Sequence, residues 1–382
     1  MKHVILLILF VSMLCSISFS QSSIDCDGYV VNVPAYLWPN DMLASSSTMN
    51  PNSWMDVTRV RLRPIMNLSV TGFIALEYEV AATYQSRMSA LLDPSSADRR
   101  QLVNLRWDIV KNDRWNVAHS IDRFYYRQQI GTFDISAGRQ RVAWGSGRIW
   151  NPTDLFNPLN PTTFSKIEKD GIDAAILKLT LGTLSDVTLV HNPQHDNPSN
   201  YACRMRTNWS EFDFVGIGGY FDQRVILGGD VAGNVFDAGV RTEMILSIKK
   251  DSPSERFVKA VIGADYQWTG ELYTLVEYHH NGEGETNPAK YNVSRLVSGE
   301  VLNVGVDYLA VGASYLVHPL VTTSVTCTEN LNDGSIFVAV SGVYVPSDEI
   351  SVTLGGHVFT GDQLDEYWYY SSSCYAKLEM FF

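Results

Sequence analysis

From Trp54 to the C-terminus the chain repeats one pattern, an apolar side chain at every second position. Val60, Leu62, Pro64 and Met66 alternate with Arg59, Arg61 and Arg63, and Ile74, Leu76, Tyr78 and Val80 alternate with Ala75, Glu77 and Glu79. Leu105, Trp107 and Ile109 do the same against Arg106 and Asp108, and Val240, Thr242, Met244, Leu246 and Ile248 against Arg241, Glu243, Ser247 and Lys249. Side chains two apart share one face of a strand. No stretch after residue 21 carries an apolar stripe at helical spacing. Turn signals such as Lys111–Asp113, Gln129–Gly131, Thr269–Gly270 and Asn332–Gly334 divide the pattern into eighteen runs, with sixteen as the alternative count. The chain therefore folds as antiparallel sheet with one apolar and one polar face.

Composition narrows the setting. A bundle of membrane helices needs apolar runs of about 20 residues, and the only long apolar run is Val4–Val11. With 29 basic against 41 acidic residues the net charge is −12, which argues against a nucleic-acid partner. Lys2 and His3, the apolar stretch Val4–Cys15 and the small residues up to Ser20 have the layout of a secretory signal peptide over residues 1–20. Cys26, Cys203, Cys327 and Cys374 are too few for a disulfide scaffold and lack metal-ligand spacing. No cofactor or metal is expected. Residues 21–53 are expected to lie outside the barrel as a periplasmic or plug segment, and residues 54–382 to form it.

Alternation does not distinguish a soluble sandwich from a membrane barrel, whose apolar face meets lipid. Three features favour the barrel. Short links at 181–183, 269–270, 318–320 and 346–349 interleave with longer ones at 191–200, 281–300 and 361–366, as short periplasmic turns and long external loops would. Aromatic residues sit at run ends: Trp54, Trp115, Trp144, Trp209, Trp268, Trp368, Tyr369 and Tyr370, where an interfacial girdle belongs. Finally, Ala376, Leu378, Met380 and Phe382 form an alternating set that closes on a terminal aromatic.

That ending resembles the last strand of Gram-negative outer-membrane β-barrels. The resemblance implies that Phe382 is an assembly signal read by the outer-membrane assembly machinery. Gly138-Arg139-Gln140 through Trp144-Gly145 to Asp154 resembles a segment of porin-like barrels related to alginate exporters. That family implies passage of solutes across the outer membrane.

The candidate lumen residues follow from the polar face. Arg59, Arg61 and Arg63 would form a ladder of fixed positive charge that selects anionic solutes. Glu77 and Glu79 on the next strand would neutralise it, and Arg106 and Asp108 are further pore-lining candidates. The connector 143–171 is long and rich in proline and aromatic residues, so it is expected to be ordered and either to fold inward or to cover the rim. Its constriction candidates are Arg148, Asp154, Lys166, Glu168 and Lys169. His279 and His280 lack the serine arrangement of a hydrolase. His191, His195 and Asp196 match no strong metal pattern.

The expectation is a single transmembrane β-barrel of the outer membrane, in contact with lipid. It would act as a porin-like channel for small hydrophilic or anionic solutes, not as an enzyme. The rivals are a plugged barrel serving polysaccharide export, adhesion or assembly, and a lipase-type hydrolase.

Overall fold

The computed structural model describes residues 23–39, 52–86, 100–156, 168–195, 197–297 and 300–382. The expected signal peptide lies outside the described residues, as do Lys166 and Asp196. Nineteen strands form one antiparallel sheet. They are β1 (Ile24–Trp38), β2 (Ser53–Ser69), β3 (Gly72–Gln85), β4 (Arg106–Lys111), β5 (Trp115–Ile130), β6 (Phe133–Gln140), β7 (Ile172–Thr180), β8 (Asp186–Asn192), β9 (Asn200–Trp209) and β10 (Phe212–Phe221). There follow β11 (Arg224–Val235), β12 (Ala238–Lys249), β13 (Ser252–Gln267), β14 (Leu272–Asn281), β15 (Asp307–His318), β16 (Val321–Asn330), β17 (Ile336–Ser347), β18 (Ile350–Thr360) and β19 (Ser372–Phe381).

Eighteen of these close a ring, because β1 pairs with β2 on one edge and with β19 on the other. β4 is the extra strand. It lies along β5 beyond the end of β6, while β5 keeps β3 on its other edge.

Alternation along the strands sorts the two faces. Leu189, Met205, Leu227, Met244 and Ile262 are exposed on the outside, whereas Val190, Ile226, Ile245 and Val261, each one position away, are buried inside. An exterior this apolar is matched to hydrocarbon, not water. Among the described residues no helix is long and apolar enough to cross a bilayer. Trp54, Trp115, Trp209 and Trp268 are exposed, as a girdle requires. Trp144 and Trp368 are not part of it: both are buried, Trp144 against Phe156 inside the ring.

Residues 24–38 correct the expected organisation, since they are a wall strand and not a plug. The sequence hid them because β1 is apolar on both faces around Pro34, so no alternation marks it. Inside the ring Val31, Val33, Ala35 and Leu37 pack with Met55 and Val57 of β2. The count of eighteen agrees, but its membership differs. The run read at 99–110 supplies the short β4, and β1 takes its place in the ring.

Eight links of two to five residues gather at one end of the barrel: 70–71, 131–132, 181–185, 210–211, 236–237, 268–271, 319–320 and 348–349. The connectors 141–171, 282–306 and 361–371 lie at the other. If the short turns are periplasmic, a cysteine at Asn287, introduced after removing the native ones, reacts with an impermeant thiol reagent on whole cells. One at Ser347 does not. Both positions are exposed, so access to the reagent alone decides the result. Labelling in the reverse sense would invert the topology.

Candidate functional site in the lumen

The ladder Arg59, Arg61 and Arg63 points inward, as the period-two pattern requires, and meets a full set of partners. Arg61 is only 5% exposed and bonds Glu79 at 2.7 Å, Asp122 at 2.9 Å and Glu77 at 3.0 Å. Arg59 pairs with Glu79 at 2.9 Å, and Arg63 with Glu168 at 2.9 Å. Arg123 bridges Glu77 at 2.9 Å and Glu168 at 2.7 Å. The ring of Tyr29 lies under the guanidinium groups of Arg61 and Arg63. Four arginines thus face four carboxylates, and the group is formally neutral.

A β-bulge completes this cluster. Glu77 pairs with Arg123 but Tyr78 pairs with Ile121, so Asp122 is an extra residue in β5. The bulge lets two consecutive side chains, Asp122 and Arg123, point inward. Strict alternation would have sent one of them to lipid.

The connector between β6 and β7 turns into the barrel. Val142, Trp144, Leu155 and Phe156 bury themselves against the inner faces of β7 to β12, including Ile172, Val190 and Ile217. Its polar side is fixed to two wall carboxylates. Glu243 on β12 accepts bonds from the backbone N–H groups of Ser146, Gly147 (2.6 Å) and Thr153 (3.1 Å), and from Thr153 Oγ1 (2.7 Å). Glu277 on β14 accepts from the N–H groups of Arg148 (2.8 Å), Ile149 (3.0 Å) and Trp150 (2.7 Å). Successive N–H groups converging on an anion form a nest, and two glycines permit it. Gly145 has φ +95°, and a Cβ on Gly147 would collide with the carbonyl oxygen of Trp150. The far end of the connector returns to the arginine cluster through Glu168.

No family model matches the chain, and no curated protein sequence resembles it. Solved structures do. Acinetobacter baumannii OccAB3 aligns with 93% of this chain and 99% of its own length, at 8% identity and a TM-score of 0.57. Pseudomonas aeruginosa OccD3 (OpdP) aligns with 93% of this chain and 91% of its own, at 8% identity and 0.54. A mutant of the Rh. blastica porin covers 94% of this chain, at 9% identity and 0.49. The fold is that of an outer-membrane porin.

Within this porin-type barrel the remaining candidates separate. Arg106 and Asp108 lie on β4, exposed and 3.9 Å apart. Asp154 is buried and pairs with Lys169, so these two brace the inward connector. Arg148 stands free enough to be 52% exposed, while its partner Asp265, 3.6 Å away, is 11% exposed. His279 is buried and stacks on Trp150, and His280 bonds Asp307. Neither pairing resembles a nucleophile–base arrangement. His191 stacks on Tyr201.

The sequence reading missed the wall residues that anchor the inward connector. Glu243 and Glu277 alternate like any other lumen position, and only their partners on a connector about a hundred residues away mark them. Lys178, inside β7, shields Asp186: the lysine is 43% exposed and the aspartate 9%. Arg127 covers Asp134 in the same way, at 48% against 19%. Arg206 pairs with Asp213 near the same end of the barrel.

Proposed function

We propose that the protein is an outer-membrane diffusion channel for small hydrophilic solutes, with a preference for anions. The observation that carries this is the inward connector. A segment pinned across the lumen by two carboxylates reduces the open cross-section, which is what size selection needs. An aqueous lumen fits a ring of eighteen strands. The preference for anions rests on how the ion pairs outside the arginine cluster are arranged. Arg148, Lys178 and Arg127 hold the water-facing positions, and their acids sit behind them. Fixed charge at the pore wall acts on a passing ion with little screening. The arginine ladder itself, being neutralised, contributes structure more than selectivity. Recognition of Phe382 by the assembly machinery belongs to the same reading, since Leu378, Met380 and Phe382 all face outward.

The test is the purified protein in planar bilayers under a salt gradient. Discrete conductance steps with a reversal potential on the anion side are expected. Replacing Arg148, Lys178 and Arg127 together by glutamine moves that potential toward cation preference. Arg59→Gln, on the paired ladder, moves it less. Absence of any conductance would favour the plugged barrel.

A further inference from the structure

Glu366 is fully buried in the connector between β18 and β19, in the 3-10 turn Glu366–Tyr369. Its carboxylate accepts from Asn330 Nδ2 at 2.9 Å, Asn303 Nδ2 at 3.3 Å, the N–H of Gly305 at 3.4 Å and the hydroxyl of Tyr308. Asn303 uses its other amide atom, Oδ1, to accept the indole N–H of Trp150 at 3.1 Å. Trp150 lies on the inward connector, stacked on His279 at 5.2 Å and against Tyr308 at 5.9 Å. A continuous hydrogen-bonded path thus runs from a connector at the long-loop end, through the 282–306 connector, to the segment that narrows the lumen.

We propose that Glu366 is the positioning residue of the pore-narrowing segment, and that its charge state sets how firmly Trp150 is held. The proposal rests on the channel reading for its consequence, but the docking itself can be measured without current.

The direction with pH follows from what surrounds the carboxylate. Tyr308 faces it from β15, Tyr291 and Asn303 from the 282–306 connector, Asp333 from the link between β16 and β17, and Asp365 and Tyr367 from its own turn. Among the described residues no lysine or arginine forms an ion pair with it. Burial is the dominant influence and pushes Glu366 up to about 7. Release would return it to the ordinary range near 4.3. A carboxyl raised on docking favours the docked state while protonated. Docking therefore weakens as pH rises from about 5 to 7, by up to about tenfold per pH unit for one proton.

Hydrogen–deuterium exchange on the full chain in detergent, expressed as protection factors, reads the docking of residues 144–156. Three results are expected. Wild type loses protection there between pH 5 and pH 8. Glu366→Gln, neutral at both, keeps the pH 5 level throughout. Glu366→Ala, lacking the acceptors, sits at the lower pH 8 level at both, and Asn303→Ala cuts the same path and behaves alike. Strand peptides stay protected in every variant, which reports an intact barrel. Equal protection of 144–156 at pH 5 in wild type and Glu366→Ala, or a pH dependence retained by Glu366→Gln, would overturn the proposal. Bilayer currents then follow: larger and noisier at pH 8 than at pH 5 in wild type, unchanged with pH in Glu366→Gln. A protein that shows the exchange pattern but no current would fail the channel reading and keep the latch.

Discussion

In planar bilayers the double variant Glu243→Ala, Glu277→Ala is expected to carry several times the wild-type current through each open channel. The two carboxylates accept eight hydrogen bonds that hold residues 146–153 across the lumen. Bonds to a charged acceptor contribute about 1.5–3 kcal/mol each. Part of that is recovered when the freed N–H groups meet water, yet the remainder exceeds what one apolar contact could replace. Each single variant leaves one anchor and should give a smaller rise. The barrel itself should still form, because no ladder bond is lost. An unchanged current in the double variant would mean that the apolar packing of Trp144 and Phe156 alone holds the segment in place.

The second large effect concerns Arg61. Removing one partner from a buried ion-pair network leaves charges uncompensated and costs about 3–5 kcal/mol. Arg61→Ala exposes three carboxylates, those of Glu77, Glu79 and Asp122, to that condition at once. The temperature at which the heat-modifiable band converts on a gel should fall clearly. Arg59→Ala and Arg63→Ala, which remove more exposed members, should lower it by less. The same Arg61 variant should become more cation-selective, because acids now outnumber bases in the cluster. Equal melting of all three variants would show that the cluster is a loose surface network.

How much of this was legible follows from what each residue's neighbours in sequence reveal. The strands from β2 onward were visible because their two faces meet different media, and the pattern therefore repeats every second residue. β1 was not, since Val31 and Val33 face an apolar interior as Val30 faces the apolar exterior. Arg59, Arg61, Arg63, Glu77 and Glu79 were identified by alternation, and their mutual pairing by the hairpin that joins them. Asp122 escaped because a bulge breaks the very rule used to find lumen residues. Glu168 was noticed as a charge on a long connector, but its contact with Arg63 and Arg123 depends on a fold-back that no local spacing encodes. Glu243 and Glu277 belong to the same class. A carboxylate whose partners are backbone N–H groups of a distant loop leaves no complementary side chain to search for.

The seam between β1 and β19 has a consequence for timing. Tyr29 pairs with Phe381, so β1 finds its second neighbour only in β19, after every other strand of the ring. Until β19 is in place β1 carries an unpaired edge, the kind of surface on which strands from other chains add. The ring cannot be closed by any shorter product, and a chain stopped before β19 keeps two open edges. For this protein the hazard of aggregation therefore lies less in an unstable fold than in the wait for its final strand.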